Sequence, residues 1–458
     1  MNRRVIDIFL GKYFNRKDAM TPRYKYSLLR LSFRFGFSIL MILTFSVCHS
    51  LAGKIPFAVG KTSENDYIKT ILLYGYSLND NFNERYNNPA VINRSIRNSS
   101  LILEFDDLRA KYASFSAKII HCDYDWQKSN LAEMEYLEGF NEFFINNYNV
   151  SQNTKTPYYH YSFKLPKTKI SGNFILQVFE NQTEGTPIFE RKFRVFDQMI
   201  GIDGGIIPAQ DPQYWKTHQQ LNVKIDVGNY NIAFPQRELK IVIRQNQRED
   251  KLTEIKNINL VNSGRNSFSL KYFDSENLFK AGNEFRFVDL SSSFKIGQNI
   301  KAIKQGTPDE ITVVTQNKRS NKGYLNAFDN DGGYIITNLE NGEIDLNSDY
   351  MEVKFTLNAP YEDSGNKPMI AGKLVDWKNT EMDFNPNTQL YEKTLMLKQG
   401  VYDFGFTLKS VFTEKIDDDI YEGNFSDTNN TYEVFIYHKP PGKRSELLIA
   451  YQVLRNRQ

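Results

Sequence analysis

The chain has 458 residues, 14% of them aromatic, and its formal net charge is +3. Residues 1–52 contain nine basic and two acidic residues, a net of +7, so the rest of the chain carries −4. That balance argues against a nucleic-acid-binding protein, because phosphate binding depends on an excess of Lys and Arg. With two cysteines in all, the sequence argues against a disulfide framework and a cysteine-based metal site.

The first 52 residues are predicted to form a secretory leader. Four basic residues after Met20 precede an apolar run of 11 residues at 37–47, which is too short to span a bilayer as a helix. Small residues place the cleavage after Ala52, and a leader of ordinary length would begin at Met20. Lipid attachment at Cys48 is the alternative. Beyond the leader no run of 18 apolar residues occurs, so we expect no stable membrane insertion.

Short strand-forming runs separated by turn residues follow the leader. We predict strands at 68–74, 100–105, 114–122, 174–179 and 190–196. Such strands at short intervals are typical of an antiparallel sandwich of immunoglobulin or fibronectin-III type.

A His–Cys–Asp cluster at 121–123 superficially resembles a catalytic site. If the strand at 115–122 is extended, His121 and Cys122 point to opposite faces. A thiolate nucleophile needs its histidine within hydrogen-bond reach, so the pair does not form a catalytic dyad. Cys122 is expected to be a buried, inert core residue.

Three segments depart from the strand pattern. Residues 131–140 repeat apolar side chains every three positions, and we expect an ordered connection with one helical turn. Residues 201–212 break both periodicities with Gly and Pro, which predicts a domain boundary. Residues 329–333 (DNDGG) are predicted to form a hairpin turn, because no glutamate closes a calcium loop after them.

Further strand patterns occur on both sides of residue 345. The middle part has strands predicted at 221–227, 239–244, 281–287 and 311–314, and the last part at 353–357, 369–377, 391–397, 400–406, 430–437 and 447–453. The 406 residues after the leader are too many for one core. We therefore predict an all-β chain of tandem immunoglobulin/fibronectin-III-like β-sandwich domains at 53–198, 199–345 and 346–458.

The predicted C-terminal domain resembles the early-set sandwich modules that include glycogen-binding domains. The resemblance rests on the segment 369–377, which ends in Trp377, and on the strand predicted at 400–406. In those modules exposed tryptophans stack on sugars, so Trp377 is a candidate glycan platform. The alternative is that Trp377 covers the edge of its sandwich. A periplasmic or surface carbohydrate-binding protein is the alternative function that follows from this residue.

An ordered set of short motifs resembles the plug protein family of the type IX secretion system of Bacteroidota. The motifs are 103–108 (LEFDDL), 121–126 (HCDYDW), 135–140 (EYLEGF), 151–161 (SQNTKTPYYHY), 171–173 (SGN), 281–286 (AGNEFR) and 422–425 (EGNF). Within them we define fourteen signature residues, with a structural or an interface role: His121, Asp123, Trp126, Tyr136, Gly139, Phe140, Asn153, Tyr158, Tyr161, Gly172, Asn283, Glu284, Phe285 and Arg286.

The resemblance implies a non-enzymatic protein of the periplasm, peripherally associated with the outer membrane. It would bind the outer-membrane translocon barrel of the type IX secretion system and seal its channel between transport events. We expect a monomer before docking, with no nucleic acid partner, cofactor or metal. The residues agree with the absence of catalysis, since the four histidines after the leader are scattered and no nucleophile elbow, phosphate loop or HExxH motif occurs.

Overall fold

The alternating strand patterns of the sequence produce an all-β protein, with 47% of residues in strands and 7% in helices. The computed structural model describes residues 66–77, 85–256, 259–264, 267–271, 275–340, 343–360, 365–413 and 415–455. The high strand content and the low helix content confirm the predicted all-β fold class. The predicted leader lies outside the described residues. No helix in the described part of the chain is both long enough and apolar enough to cross a membrane.

The first sandwich packs two sheets face to face. Its elements are β1 (Ile68–Ser77), β2 (Val91–Asn93), β3 (Ser99–Asp107), β4 (Phe115–Cys122), α1 (Glu133–Tyr136), β5 (Phe143–Ile145), β6 (Asn147–Val150), β7 (Tyr159–Lys164), β8 (Gly172–Glu180) and β9 (Phe189–Phe196). The sheets have the orders β1-β3-β7-β6 and β2-β9-β8-β4-β5. Helix α1 is the single helical turn expected within 131–140. Large apolar side chains from both sheets fill the space between them.

Strand alternation separates the two residues of the His–Cys pair. His121 lies against the rings of Phe174 and Tyr136 inside the sandwich. Cys122 packs beside Trp126 in a separate cluster on the opposite face of the sheet. Burial raises the pKa of the Cys122 thiol to about 12, which disfavours the reactive thiolate. The residue is buried, as expected.

The second sandwich begins with strand β10, close after the end of β9. Its first elements are β10 (Gly201–Pro208), a 3₁₀ turn (Pro212–Tyr214), β11 (His218–Asp226), α2 (Pro235–Glu238), β12 (Leu239–Gln245), a 3₁₀ turn (Glu249–Lys251), β13 (Leu252–Ile255), β14 (Asn259–Gly264), β15 (Ser267–Lys271) and β16 (Leu278–Lys280). One sheet has the order β10-β11-β15-β14, with β16 also paired to β11. The other sheet is completed only by the end of the chain.

The third sandwich follows. It comprises β17 (Arg286–Asp289), β18 (Ile300–Lys304), β19 (Asp309–Val313), β20 (Gln316–Asn317), β21 (Tyr334–Ile336), α3 (Ile344–Asn347), β22 (Tyr350–Asn358), β23 (Lys367–Ala371), a 3₁₀ turn (Lys373–Val375), β24 (Thr380–Glu381), β25 (Asp383–Asn385), β26 (Leu390–Lys398), β27 (Gly400–Lys409), β28 (Ile416–Asp417) and α4 (Asp419–Glu422). Its two sheets follow the orders β17-β27-β23-β24 and β18-β19-β22-β26-β25, and strands from both contribute to one core.

The chain then returns to the second sandwich. The last strands, β29 (Thr431–His438) and β30 (Leu447–Arg455), complete the sheet β13-β12-β29-β30. The third sandwich is therefore inserted between β16 and β29 of the second. This corrects the predicted division into 199–345 and 346–458. Each strand has its own alternating pattern, but that pattern does not specify that β12 pairs with a strand almost 200 residues later.

The segment 201–212, which was predicted as a domain boundary, follows the end of the first sandwich but begins with strand β10 rather than with a loop. Its Gly and Pro residues are tolerated because β10 is the edge strand of its sheet. At Gly204 a Cβ atom would lie 2.2 Å from the backbone oxygen of Asn222, so the strand approaches β11 more closely than a side chain permits. The glycines that indicated a loop instead allow this close pairing.

The second sandwich is built from two separate parts of the chain, so a core mutation in its last strands should destabilise its earlier strands. Ile436 in β29 is fully buried and pairs with Ile241 of β12. We expect Ile436→Ala to cost about 2–5 kcal/mol and to accelerate amide exchange in β12. The matched variant Val353→Ala, in the core of the third sandwich, should accelerate exchange in β22 instead. Faster exchange in β22 with unchanged exchange in β12 for Ile436→Ala would contradict the insertion.

Candidate functional site

The His121 side chain lies in close contact with Gly172 inside the first sandwich. The His121 Nδ1 and Ser129 Oγ are joined by a hydrogen bond of 2.8 Å. A Cβ atom at Gly172 would lie 2.6 Å from His121 Nε2, and the φ of +151° adds backbone strain for other residues. Burial lowers the pKa of His121 to about 4, so the ring is neutral near pH 7. This contact constrains how closely β4 and β8 pair within their sheet.

Tyr136 and Tyr161 are buried in the same sandwich with their hydroxyl groups paired. The Tyr136 hydroxyl donates to the backbone oxygen of Ile119 at 3.2 Å. Tyr161 stacks on Phe105 with ring centroids 5.1 Å apart, and its hydroxyl donates to the backbone oxygen of Ala113 at 2.9 Å. These contacts give both tyrosines a structural role.

Tyr158 lies at the junction between the first and third sandwiches. The ring is fully buried, and its hydroxyl group contacts the backbone oxygens of Asp345 at 2.8 Å and Ser348 at 2.9 Å. Within the Tyr-rich segment 158–161, Tyr158 and Tyr161 are therefore internal contacts, and neither ring is exposed to a partner.

A buried charge network lies next to Tyr158. Asp106 Oδ2 accepts hydrogen bonds from Lys398 Nζ and from the Tyr350 hydroxyl, both at 2.7 Å. The side chains of Asp106 and Lys398 are 1% and 2% exposed. The other oxygen, Oδ1, is 2.8 Å from His160 Nδ1. Burial alone would raise the pKa of Asp106, but Lys398 and His160 together hold it below its ordinary value.

Sequence reasoning missed this network. Asp106 and Asp107 are the last two residues of strand β3, and both are buried. Lys398 likewise ends strand β26. A charged residue at the end of each strand is the signal present in the sequence. The separation of 292 positions between Asp106 and Lys398 hides the pairing.

Asp123 and Trp126 lie where the first sandwich meets the second. The Trp126 ring has the cations of Lys192 and Arg194 within 4.6 Å of its centroid. Arg194 Nη1 in turn pairs with Glu249 of the second sandwich at 2.7 Å. Burial, with the Glu446 carboxyl beside it, raises the pKa of Asp123 to about 7. The motif HCDYDW therefore contributes to the junction between these two sandwiches.

The signature residues 283–286 form part of the connection between the second and third sandwiches. Residues 281–285, which were predicted to be a strand, cross between the two bodies beside the returning segment 422–425. Asn283 Nδ2 donates to the backbone oxygen of Glu422 at 2.7 Å, and the Phe425 N–H donates to the backbone oxygen of Gly282 at 2.7 Å. Both crossing segments of the insertion are thus bonded to each other. We call residues 281–286 and 422–430 the neck.

Glu284 and Arg286 tie the side chains of the neck together. Glu284 is buried and accepts hydrogen bonds from the Tyr324 hydroxyl at 2.5 Å and the Asn429 N–H at 2.9 Å. Arg286 pairs with Glu422 at 3.0 Å. The predicted strand fails here because the backbone bonds run across the neck rather than along a sheet.

Trp377 packs against the neck. Its ring meets Phe285 edge-to-face, with centroids 5.9 Å apart, and the guanidinium of Arg248 from the second sandwich lies 4.5 Å from the ring centroid. The predicted strand 369–377 ends at Ala371, and a 3₁₀ turn places the indole at this contact. A glycan platform needs an open aromatic face, whereas Arg248 lies over this one.

The remaining signature residues lie at the surface. Gly139 and Asn153 have φ values of 77° and 56° and occupy turns, and Asn153 is exposed. Phe140 is 93% exposed. Among the fourteen signature residues, all of which the structure describes, Phe140 is the large apolar side chain without a packing role. No group of three or more His, Cys, Asp or Glu side chains in the described residues is arranged to hold a metal ion.

Comparisons with known proteins agree with the motif analysis. Residues 68–197 match the family model described as type 9 secretion system plug protein 1st domain. That range is the first sandwich, from the start of β1 to one residue past β9, and the match confirms the predicted resemblance and indicates a role in type IX secretion. No curated protein matches the chain. A hypothetical protein from Parabacteroides merdae ATCC 43184, solved by crystallography, is 26% identical with a TM-score of 0.79, over 86% of this chain and 98% of that one.

The contact between Gly172 and His121 predicts a position-specific cost. Gly172→Ala should lower the free energy of unfolding by more than about 1 kcal/mol, since the added methyl group must displace the imidazole. Gly185→Ala is the matched control, because its φ is also positive but nothing lies within 4 Å of the added Cβ. Urea unfolding measures both. Equal losses for the two variants would show that backbone strain alone is responsible.

The buried ion pair predicts an asymmetric response to mutation. Lys398→Met removes the ammonium group from the buried Asp106 carboxylate and should cost about 3–5 kcal/mol, whereas the double variant Asp106→Asn/Lys398→Met should recover part of that loss. The control Lys304→Met breaks an exposed pair with Glu310 and should cost at most about 1 kcal/mol. Thermal and urea unfolding of these two variants and of the single variant Asp106→Asn give the coupling energy. A coupling near zero would mean that the pair contributes nothing to the junction.

Proposed function

Because residues 68–197 form a plug protein first domain of the type 9 secretion system, we propose that this chain is the periplasmic plug of a type IX translocon. It binds the outer-membrane translocon barrel from the periplasmic side and seals the channel between transport events. The family match is the observation that carries the proposal. The protein acts by occupying space and catalyses no reaction.

The arrangement of the three sandwiches supports a sealing role. A wide channel leaks ions and small solutes unless a folded body covers it. The domains of that body must keep a fixed arrangement relative to one another. Buried ion pairs and aromatic contacts join the first sandwich to both others, and two bonded segments form the neck between the second and third. The described residues, between 66 and 455, all belong to one compact unit.

The side-chain chemistry supports a non-enzymatic role. His121 is neutral near pH 7 and packs between aromatic rings, while burial disfavours the thiolate of Cys122. The pattern of the predicted leader supports export to the periplasm, and the net charge of −4 after that leader suits a body that remains peripheral to the membrane. A seal that must release needs a polar, wet interface with a few aromatic anchors.

Recovery of the translocon and a permeability assay test the proposal together. We expect a tagged chain, purified from solubilised outer membranes, to bring down the large barrel of the type IX translocon. A deletion strain should admit more of a large hydrophilic dye, and the wild-type chain should restore the barrier. A tagged periplasmic protein of similar size is the control. Failure to recover the barrel, with unchanged dye uptake in the deletion strain, would reject the plug function.

A further inference from the structure

On one side of the first sandwich, each of the two sheets ends in an edge strand whose outer side pairs with no other strand of the described residues. Strands β5 and β6 are the last strands of their respective sheets. A single continuous segment, 143–150, supplies both. Within the described part of the chain, β5 pairs only with β4 and β6 only with β7. The outer side of this segment therefore presents backbone groups without a neighbouring strand.

The composition of this edge is unusual for an exposed strand. The sequence of 143–150 is FFINNYNV, which contains no charged residue and no proline. Proteins ordinarily protect sheet edges from further pairing with charges, prolines or bulges. Two other edges of this molecule follow that rule: β18 carries Lys301 and Lys304, and β1 carries Lys69 and a register shift.

Aromatic side chains line the same edge. Phe140, Phe144 and Tyr148 recur every four residues and are 93%, 58% and 40% exposed. Tyr112 is also exposed and contacts the Tyr148 ring at a centroid distance of 5.1 Å. We call Phe140 together with residues 143–150 the aromatic edge. Contiguous exposed apolar side chains next to an unprotected strand mark an interaction surface rather than an ordinary solvated face.

We propose that the aromatic edge is the docking surface of this protein and that it receives an extended, uncharged segment of the translocon. The partner segment adds to the sheet through backbone hydrogen bonds, the mode known as β-augmentation. A backbone edge without a neighbouring strand can be completed by another backbone. A charged partner segment would bury its charges against residues 143–150 without an opposite charge, so an uncharged segment fits this edge better. Phe140 and Phe144 then pack against the partner's apolar side chains as anchors. This inference rests on the proposed function, since it names the surface that the plug uses.

The test places charges on the edge without disturbing the core. The variant Phe144→Lys/Asn149→Lys changes two exposed side chains, and Phe140→Ala removes the most exposed anchor. Phe328→Lys is the control, because Phe328 is also a highly exposed phenylalanine, at 90%, but belongs to the third sandwich. All variants should unfold at the wild-type temperature. Recovery of the translocon barrel from solubilised outer membranes should fall about tenfold for the two edge variants and remain unchanged for Phe328→Lys.

The outcomes separate this inference from the proposed function. If the wild-type chain recovers no barrel, the plug function itself fails. If the wild-type chain and the edge variants recover the barrel equally, the plug function stands and the aromatic edge is not its docking surface. Light scattering on the purified chain gives a second check. A wild-type dimer that becomes a monomer in Phe144→Lys/Asn149→Lys would assign the edge to self-association and overturn the proposal.

Discussion

The buried ion pair between Asp106 and Lys398 is the contact on which the arrangement of the sandwiches depends. One charge comes from the first sandwich and the other from the third, and both are almost completely removed from water. A buried charge without its partner is strongly unfavourable, so the two sandwiches are stable together only in the orientation that brings Asp106 to Lys398. Tyr350 and His160 use the remaining hydrogen-bonding capacity of the carboxylate. The network therefore selects one geometry rather than simply adding stability.

The other junctions follow the same logic. Glu249 of the second sandwich pairs with Arg194 of the first, and Arg194 also lies over Trp126. At the neck, Glu284 and Arg286 each satisfy buried polar groups from the returning chain. Most signature residues are thus required for internal fit. Phe140 differs because its side chain is in solvent, which is why the interface argument begins from it.

The sequence predicts the parts of this structure that depend on neighbouring residues. Alternation within 115–122 is enough to separate His121 from Cys122, and three-residue spacing is enough to indicate the single turn of α1. It does not predict which strands pair over long distances, so β29 appeared to belong with its neighbours rather than with β12. Gly204 illustrates a second limit: glycine that permits a close approach between strands looks the same in sequence as glycine in a loop. Trp377 illustrates a third, because its partner Arg248 lies in another sandwich.

The sealing claim can be measured directly as ion flux through the purified translocon barrel in a planar bilayer. Conductance is recorded before and after the purified chain is added to the periplasmic side, with binding followed separately by a fluorescent label. A body that covers the channel mouth should reduce the conductance as the label binds, and addition to the opposite side should have no effect. Binding of the labelled chain with unchanged conductance would contradict the account, because the protein would then associate with the translocon without sealing it.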